Sequence, residues 1–79
     1  MKFSQNGWDF DSDTWLSTTA NEYCKFKKID AVVFVATHQK TGERNFVMFD
    51  YGGTPIFESK QFEAIGVHID MMAAEREIK

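Results

Sequence analysis

Polar and apolar residues alternate through the first eleven positions, "MKFSQNGWDFD", with a break at Asn6-Gly7. Taking those two as the turn of a hairpin sets Gln5 opposite Trp8 and Phe3 opposite Phe10. Phe3, Trp8 and Phe10 then share one face, and Lys2, Ser4, Asp9 and Asp11 the other. Asn-Gly suits that turn because both central residues of a type I′ turn take positive φ. The period then lengthens. From about Asp13 to Lys27 the spacing predicts a helix, with Asp11, Ser12 or Asp13 as its cap. Trp15, Leu16, Thr19, Ala20, Tyr23 and Phe26 form its expected buried side, and Ser17, Thr18, Asn21, Glu22 and Lys25 its expected solvent side.

"AVVFVATH" (Ala31 to His38) is apolar on both faces and rich in β-branched residues, which predicts a central strand. "QKTGE" reads as a hairpin loop with Gly42 in the left-handed conformation, and "RNFVMFDY" (Arg44 to Tyr51) as the returning strand. Gly52-Gly53 reads as a two-residue turn that sets Tyr51 opposite Thr54 and Phe49 opposite Ile56. Pro55 cannot donate to a ladder, so "TPIFE" is expected at a sheet edge. Ser59 then caps a last helix from Lys60 to about Glu77. The fold class is α+β: one domain over residues 1–79, order ββαβββα, with a mainly antiparallel sheet packed by two helices. Val33, Phe34, Val35, Phe46, Met48 and Phe49, with Phe62, Ile65 and Ile69, are the expected core.

The last helix carries apolar residues twice. Phe62, Ile65, Gly66, Ile69, Met72 and Ala73 form one stripe. Ala64, Val67, Met71, Ala74 and Ile78 form a second on nearly the opposite side. Glu63, Asp70 and Glu77 separate the stripes on one flank, and His68 and Glu75 on the other. One sheet covers one side of a helix. The second stripe is therefore expected to meet the first helix or hairpin, a second copy in a homodimer, or a foreign protein.

Composition narrows the function. Twelve aromatic residues supply enough area for a small core and leave some for an interface. The net charge is −3, against the basic excess of a general nucleic-acid binder. The densest basic cluster, Lys25, Lys27 and Lys28, sits where a helix C-terminus favours cations. Cys24 is the only cysteine, so no intrachain bridge forms, and a reducing compartment is expected. No stretch approaches the roughly 20 apolar residues of a membrane span, and the first ten residues lack the apolar core of a signal peptide. A cytoplasmic, soluble protein with no membrane contact is the expectation.

Catalytic and ligand-binding chemistry is poorly supplied. "FDYGGTPIFESK" is not a phosphate loop, because a strand separates Gly53 from the helix and the Lys-Ser/Thr pair is missing. Cys24 with His38 or His68 is the only Cys–His combination, and Cys24 is expected to be an inert core thiol. His68 and Asp70 diverge on their helix. Asp9, Asp11 and Asp13 begin like a calcium loop, but Thr14 holds the sixth position, where Gly is needed, and Ala20 the twelfth, where Glu is needed. No catalytic residue, metal site or cofactor is expected.

The helix–strand–strand–strand–helix order over Asp13 to Ile78 resembles the double-stranded-RNA-binding domain. That resemblance implies phosphate contacts from the start of the last helix and from a strand loop. "SKQFEAIG" offers only Lys60 there, opposed by Glu63, while "HQKTGER" offers Lys40 and Arg44. In size, acidity and aromatic content the chain is also similar in type to phage-encoded inhibitors such as the anti-CRISPR proteins. The expected function is a non-enzymatic protein–protein interaction module of that type, blocking a host nucleic-acid machine. A host protein or complex is then its partner through Ala64, Val67, Met71, Ala74 and Ile78. The alternatives are nucleic-acid binding through Lys40, Arg44 and Lys60, or a small structural or dimerisation protein.

Overall fold

The computed structural model describes residues 1–77. The elements are β1 (Lys2–Gln5), β2 (Trp8–Asp11), α1 (Trp15–Phe26), β3 (Ala31–His38), β4 (Arg44–Asp50), β5 (Pro55–Ser59) and α2 (Phe62–Glu77). The strands form one antiparallel sheet in the order β1-β2-β3-β4-β5, so the expected α+β class and element order hold. β5 is an edge strand and begins at Pro55, which has no amide to lose.

The first hairpin has the register read from the alternation, Gln5 opposite Trp8 and Phe3 opposite Phe10. Asn6 and Gly7 both take positive φ, 53° and 84°. The second glycine pair departs from expectation. Asp50 accepts from the Gly53 amide and donates its own to the Thr54 carbonyl, while Gly53 takes φ 88°. That is a turn closed by a left-handed glycine rather than a two-residue loop, and Phe49 lies opposite Pro55 instead of Ile56. The Asp50 carboxylate holds the Thr54 amide at 2.9 Å, a local bond that competes with the shorter turn.

In α1 the cap is Thr14, whose hydroxyl accepts from the Ser17 amide, not one of the three preceding residues. Asp11 and Asp13 are engaged elsewhere: Asp11 accepts from the Asp13 amide, and Asp13 pairs with the amino terminus. The buried side is also rotated from the one expected. Ser17, Ala20 and Cys24 face the sheet, and Trp15 and Phe26 face outward. Small side chains let the helix axis approach the strands, and the two rings are too large for that gap. Lys28 ends the helix at φ 60°, with the Ile29 amide returning to the Cys24 carbonyl.

Both helices lie on one face of the sheet. Ala20, Cys24, Ile29, Ala31, Val33, Val35, Phe46, Met48, Ile65 and Ile69 form the buried core between them. Phe34 is buried from the opposite face. Phe49 and Phe62 correct the expected core, since each is only half-buried. Phe62 stands at the first turn of α2 with one side against Phe46, and Phe49 lies on the face without helices. Ser59 does hold the Gln61 amide, at 3.1 Å, but the helix proper begins two residues later than expected.

Candidate protein-docking surface

The helices run in the same direction. Thr19 and Ala20 neighbour Phe62 at one end, and Phe26, Lys27 and Lys28 neighbour Ala73 and Arg76 at the other. Their outer sides are unusually apolar for solvent-facing helix. Along α1, Trp15, Thr19, Glu22 and Phe26 follow a 4-3-4 spacing and point away from the sheet. Trp15 is 78% exposed and Phe26 76%. Along α2, Val67 and Met71 are 58% and 57% exposed, Ala74 is exposed and Ala64 is half-buried. Ile78, the last member of that predicted stripe, lies outside the described residues. Neither the first helix nor the first hairpin covers Val67 and Met71, which removes the internal-core role as their explanation.

Between the helices lies a shallow apolar cleft of about 350 Å³, lined by Thr19, Tyr23, Phe26, Phe62 and Gly66 among others. Its wall is held by Asp70, which accepts from the Tyr23 hydroxyl and lies 3.7 Å from the Lys27 ammonium. The bond to Asp70 raises the Tyr23 hydroxyl above its ordinary pKa. Gly66 opens this cleft in mid-helix, where glycine costs about 1 kcal/mol relative to alanine. A Cβ there would meet nothing within 4 Å, so no intrachain contact requires glycine.

The three predicted phosphate contacts come from one end of the sheet, where two are already engaged. Lys60 Nζ lies 2.6 Å from the Glu43 carboxylate in the β3–β4 loop, which raises the lysine and lowers the glutamate relative to their ordinary pKa values. The Arg44 guanidinium lies over the Phe46 ring at 5.6 Å. Lys40, on the same loop, is exposed. Lys60 and Arg44 thus meet protein groups before they meet a ligand.

Cys24 is buried in the helix–sheet core, and burial pushes its thiol up. His38 stands at the loop end of β3 against Trp8, with Nδ1 accepting from the Lys40 and Thr41 amides. His68 stacks on Phe57 at 4.1 Å. The structure does not assemble these three. Asp9 accepts from Ser4 and Gln39, which lowers its pKa, so the three alternating aspartates serve separate bonds. Among the described residues no group of three or more His, Cys, Asp or Glu gathers as a metal site. No helix among the described residues is long and apolar enough to cross a membrane.

The face without helices has its own aromatic cluster. Phe3, Phe10, Phe34 and Phe49 pack together, with Phe3 stacked on Phe10 and both edge-on to Phe34. Phe3 and Phe49 stand 6.4 Å apart although β1 and β4 are three strand spacings apart, roughly 14 Å in a flat sheet. The first hairpin therefore curls over this face, and Gln5 and Asn6 line one groove with Pro55 and Ile56 of β5. Alternation disclosed the rings but not the curl. Most of their flat faces are spent on one another, whereas on the outer helix surface Trp15 and Phe26 stay largely exposed, Phe26 with one face toward Tyr23 at 6.4 Å.

No protein-family model, curated protein or solved structure matches this chain. Trp15 and Phe26 are the site residues that sequence reasoning put inside. A signal for their true position was present in Ser17, Ala20 and Cys24, three small residues in helical phase.

Proposed function

We propose that the protein is a non-enzymatic interaction domain that docks on another protein through the outer surface of its helices. The observation that carries this reading is the exposure of Trp15 and Phe26 on α1, with Phe26 lining the apolar cleft. Burying such rings yields much contact area at small entropic cost, and Trp and Tyr with Arg dominate the energetics of protein interfaces. Val67 and Met71 extend the same outward surface, and Met adapts to irregular partners. In its specific form this is a small inhibitor of the anti-CRISPR type that covers a working surface on a host nucleic-acid machine. Size and outward aromatic anchors support that form.

The test is capture from the native host with the wild-type chain and with a Trp15→Ser, Phe26→Ser double variant whose fold is verified by circular dichroism. A specific protein retained by the first and lost by the second supports the reading. Partners that bind both baits equally overturn it.

A further inference from the structure

The β3–β4 loop is one helical turn with a histidine at its head. The Gly42 amide donates to the His38 carbonyl at 2.9 Å, and Gly42 takes φ 74° as the chain returns to β4. A turn of this kind leaves its first amides without a carbonyl inside it. Gln39 sends its amide to the Gly7 carbonyl at 2.9 Å. The Lys40 and Thr41 amides converge on a single atom, His38 Nδ1, at 3.2 and 3.3 Å. His38 therefore does the work of a cap, a position where Ser, Thr, Asp or Asn is ordinary. Those residues keep their acceptor through the mildly acid range in which an imidazole gains a proton.

A ring nitrogen accepts only while it carries a lone pair, so this loop selects the neutral tautomer with its proton on Nε2. The next proton goes to Nδ1 and sets an N–H against two N–H groups. The ring is half-buried and edge-on to Trp8 of β2 at 4.9 Å. Charged groups on the elements beside it are mostly committed. Asp9 of β2 accepts from Ser4 and Gln39, Arg44 of β4 lies over Phe46, and Glu58 of β5 accepts from Asn45. Lys40 is exposed. Glu43 is the anion whose carboxylate feels the imidazole, and its backbone carbonyl accepts the His38 amide at 2.8 Å. The same carboxylate holds Lys60, just before α2, at 2.6 Å. An imidazolium at His38 competes with Lys60 for it.

We propose that His38 is a proton-operated latch on the β3–β4 loop. With Nδ1 free it caps the turn; protonation releases the Lys40 and Thr41 amides, turns the ring toward Glu43 and loosens the tie to Lys60. Nitrogen-15 NMR of the full chain tests this, with His68 followed on its own ring signals. At about pH 8 the His38 ring shows a bare Nδ1 and a protonated Nε2. As His38 titrates, the Lys40 and Thr41 amides lose about fivefold or more of their exchange protection, corrected for the intrinsic effect of pH. The Gln39 amide, bonded to Gly7, keeps its own. His38→Asn sets Oδ1 where Nδ1 stands, so both amides stay protected at either pH, and His38→Ala leaves them unprotected at either pH. A proton on Nδ1 at the start, protection that survives protonation of His38, or a His38→Asn loop that still opens in acid overturns the proposal.

Discussion

The Asn21 side chain takes the place of a missing strand beside Val33. β2 ends at Asp11, opposite Val35, so the next outward backbone groups of β3 on that edge, the amide and carbonyl of Val33, have no strand partner. Asn21 supplies both: its Oδ1 accepts the amide at 2.7 Å and its Nδ2 donates to the carbonyl at 3.1 Å. A carboxamide offers the donor–acceptor pair of a peptide group, which is why this residue locks α1 to the sheet. Asn21→Ala leaves both groups unsatisfied, at about 1–3 kcal/mol each when buried, so a loss of about 2–4 kcal/mol is expected in urea unfolding. Asn21→Asp keeps the acceptor but sets a carboxylate against the Val33 carbonyl. Part of its lost stability should return as pH falls and the acid regains a donating proton. An Asn21→Ala protein as stable as wild type would contradict this role.

Gly66 makes the opposite prediction. Among the described residues a Cβ there would meet nothing within 4 Å beyond its own helix backbone, and the helix gains by losing glycine's freedom. Gly66→Ala should stabilise the isolated protein by about 0.5–1 kcal/mol in chemical denaturation. Because the added methyl lines the cleft between α1 and α2, the same variant should weaken partner capture. Stabilisation without any loss of capture would show that the cleft is not used.

Burial raises the Cys24 thiol above its ordinary 9.0, so the folded state holds that proton more tightly than the unfolded chain. Its contribution to stability is complete below about pH 9 and is lost as pH rises toward the native value. Tyr23, raised by its bond to Asp70, acts in the same direction from about pH 10 upward. Thermal melting should therefore weaken through the alkaline range, and Tyr23→Phe should flatten the upper part of that decline. Iodoacetamide at pH 8 should label Cys24 slowly in the native protein and quickly in urea. Equal rates in both would place the thiol at the surface.

Much of the fold was legible because local chemistry and global structure agree. Asn6-Gly7 demanded a type I′ turn and set the whole first register, and the β-branched run from Ala31 placed the central strand. Errors arose where a small residue carried the information. Ser17 and Cys24 look polar or neutral in a hydrophobic pattern, yet their size lets α1 close on the sheet, and that turned Trp15 and Phe26 outward. The second stripe of α2 was visible in the spacing. Its exposure was not, since it depended on where α1 came to rest.

Lys40, Arg44 and Lys60 give the nucleic-acid alternative a direct test. Phosphate contacts release counterions, so binding through three cations would fall steeply with added salt. With Lys60 paired to Glu43 and Arg44 over Phe46, mobility-shift assays with duplex RNA and DNA should show no complex that survives moderate salt. A complex abolished by Lys40→Glu or Arg44→Glu would transfer the function to this end of the sheet.

Oxidative footprinting addresses the central claim, that association occurs on the outer helix surface. Met71 and Tyr51 are both exposed, at 57% and 71%, but Met71 lies on α2 and Tyr51 on the turn between β4 and β5. Both should oxidise readily in dilute protein. On association, Met71 should become protected while Tyr51 keeps its reactivity. Protection at Tyr51 with Met71 unchanged would contradict the account and move the interface to the other side of the molecule.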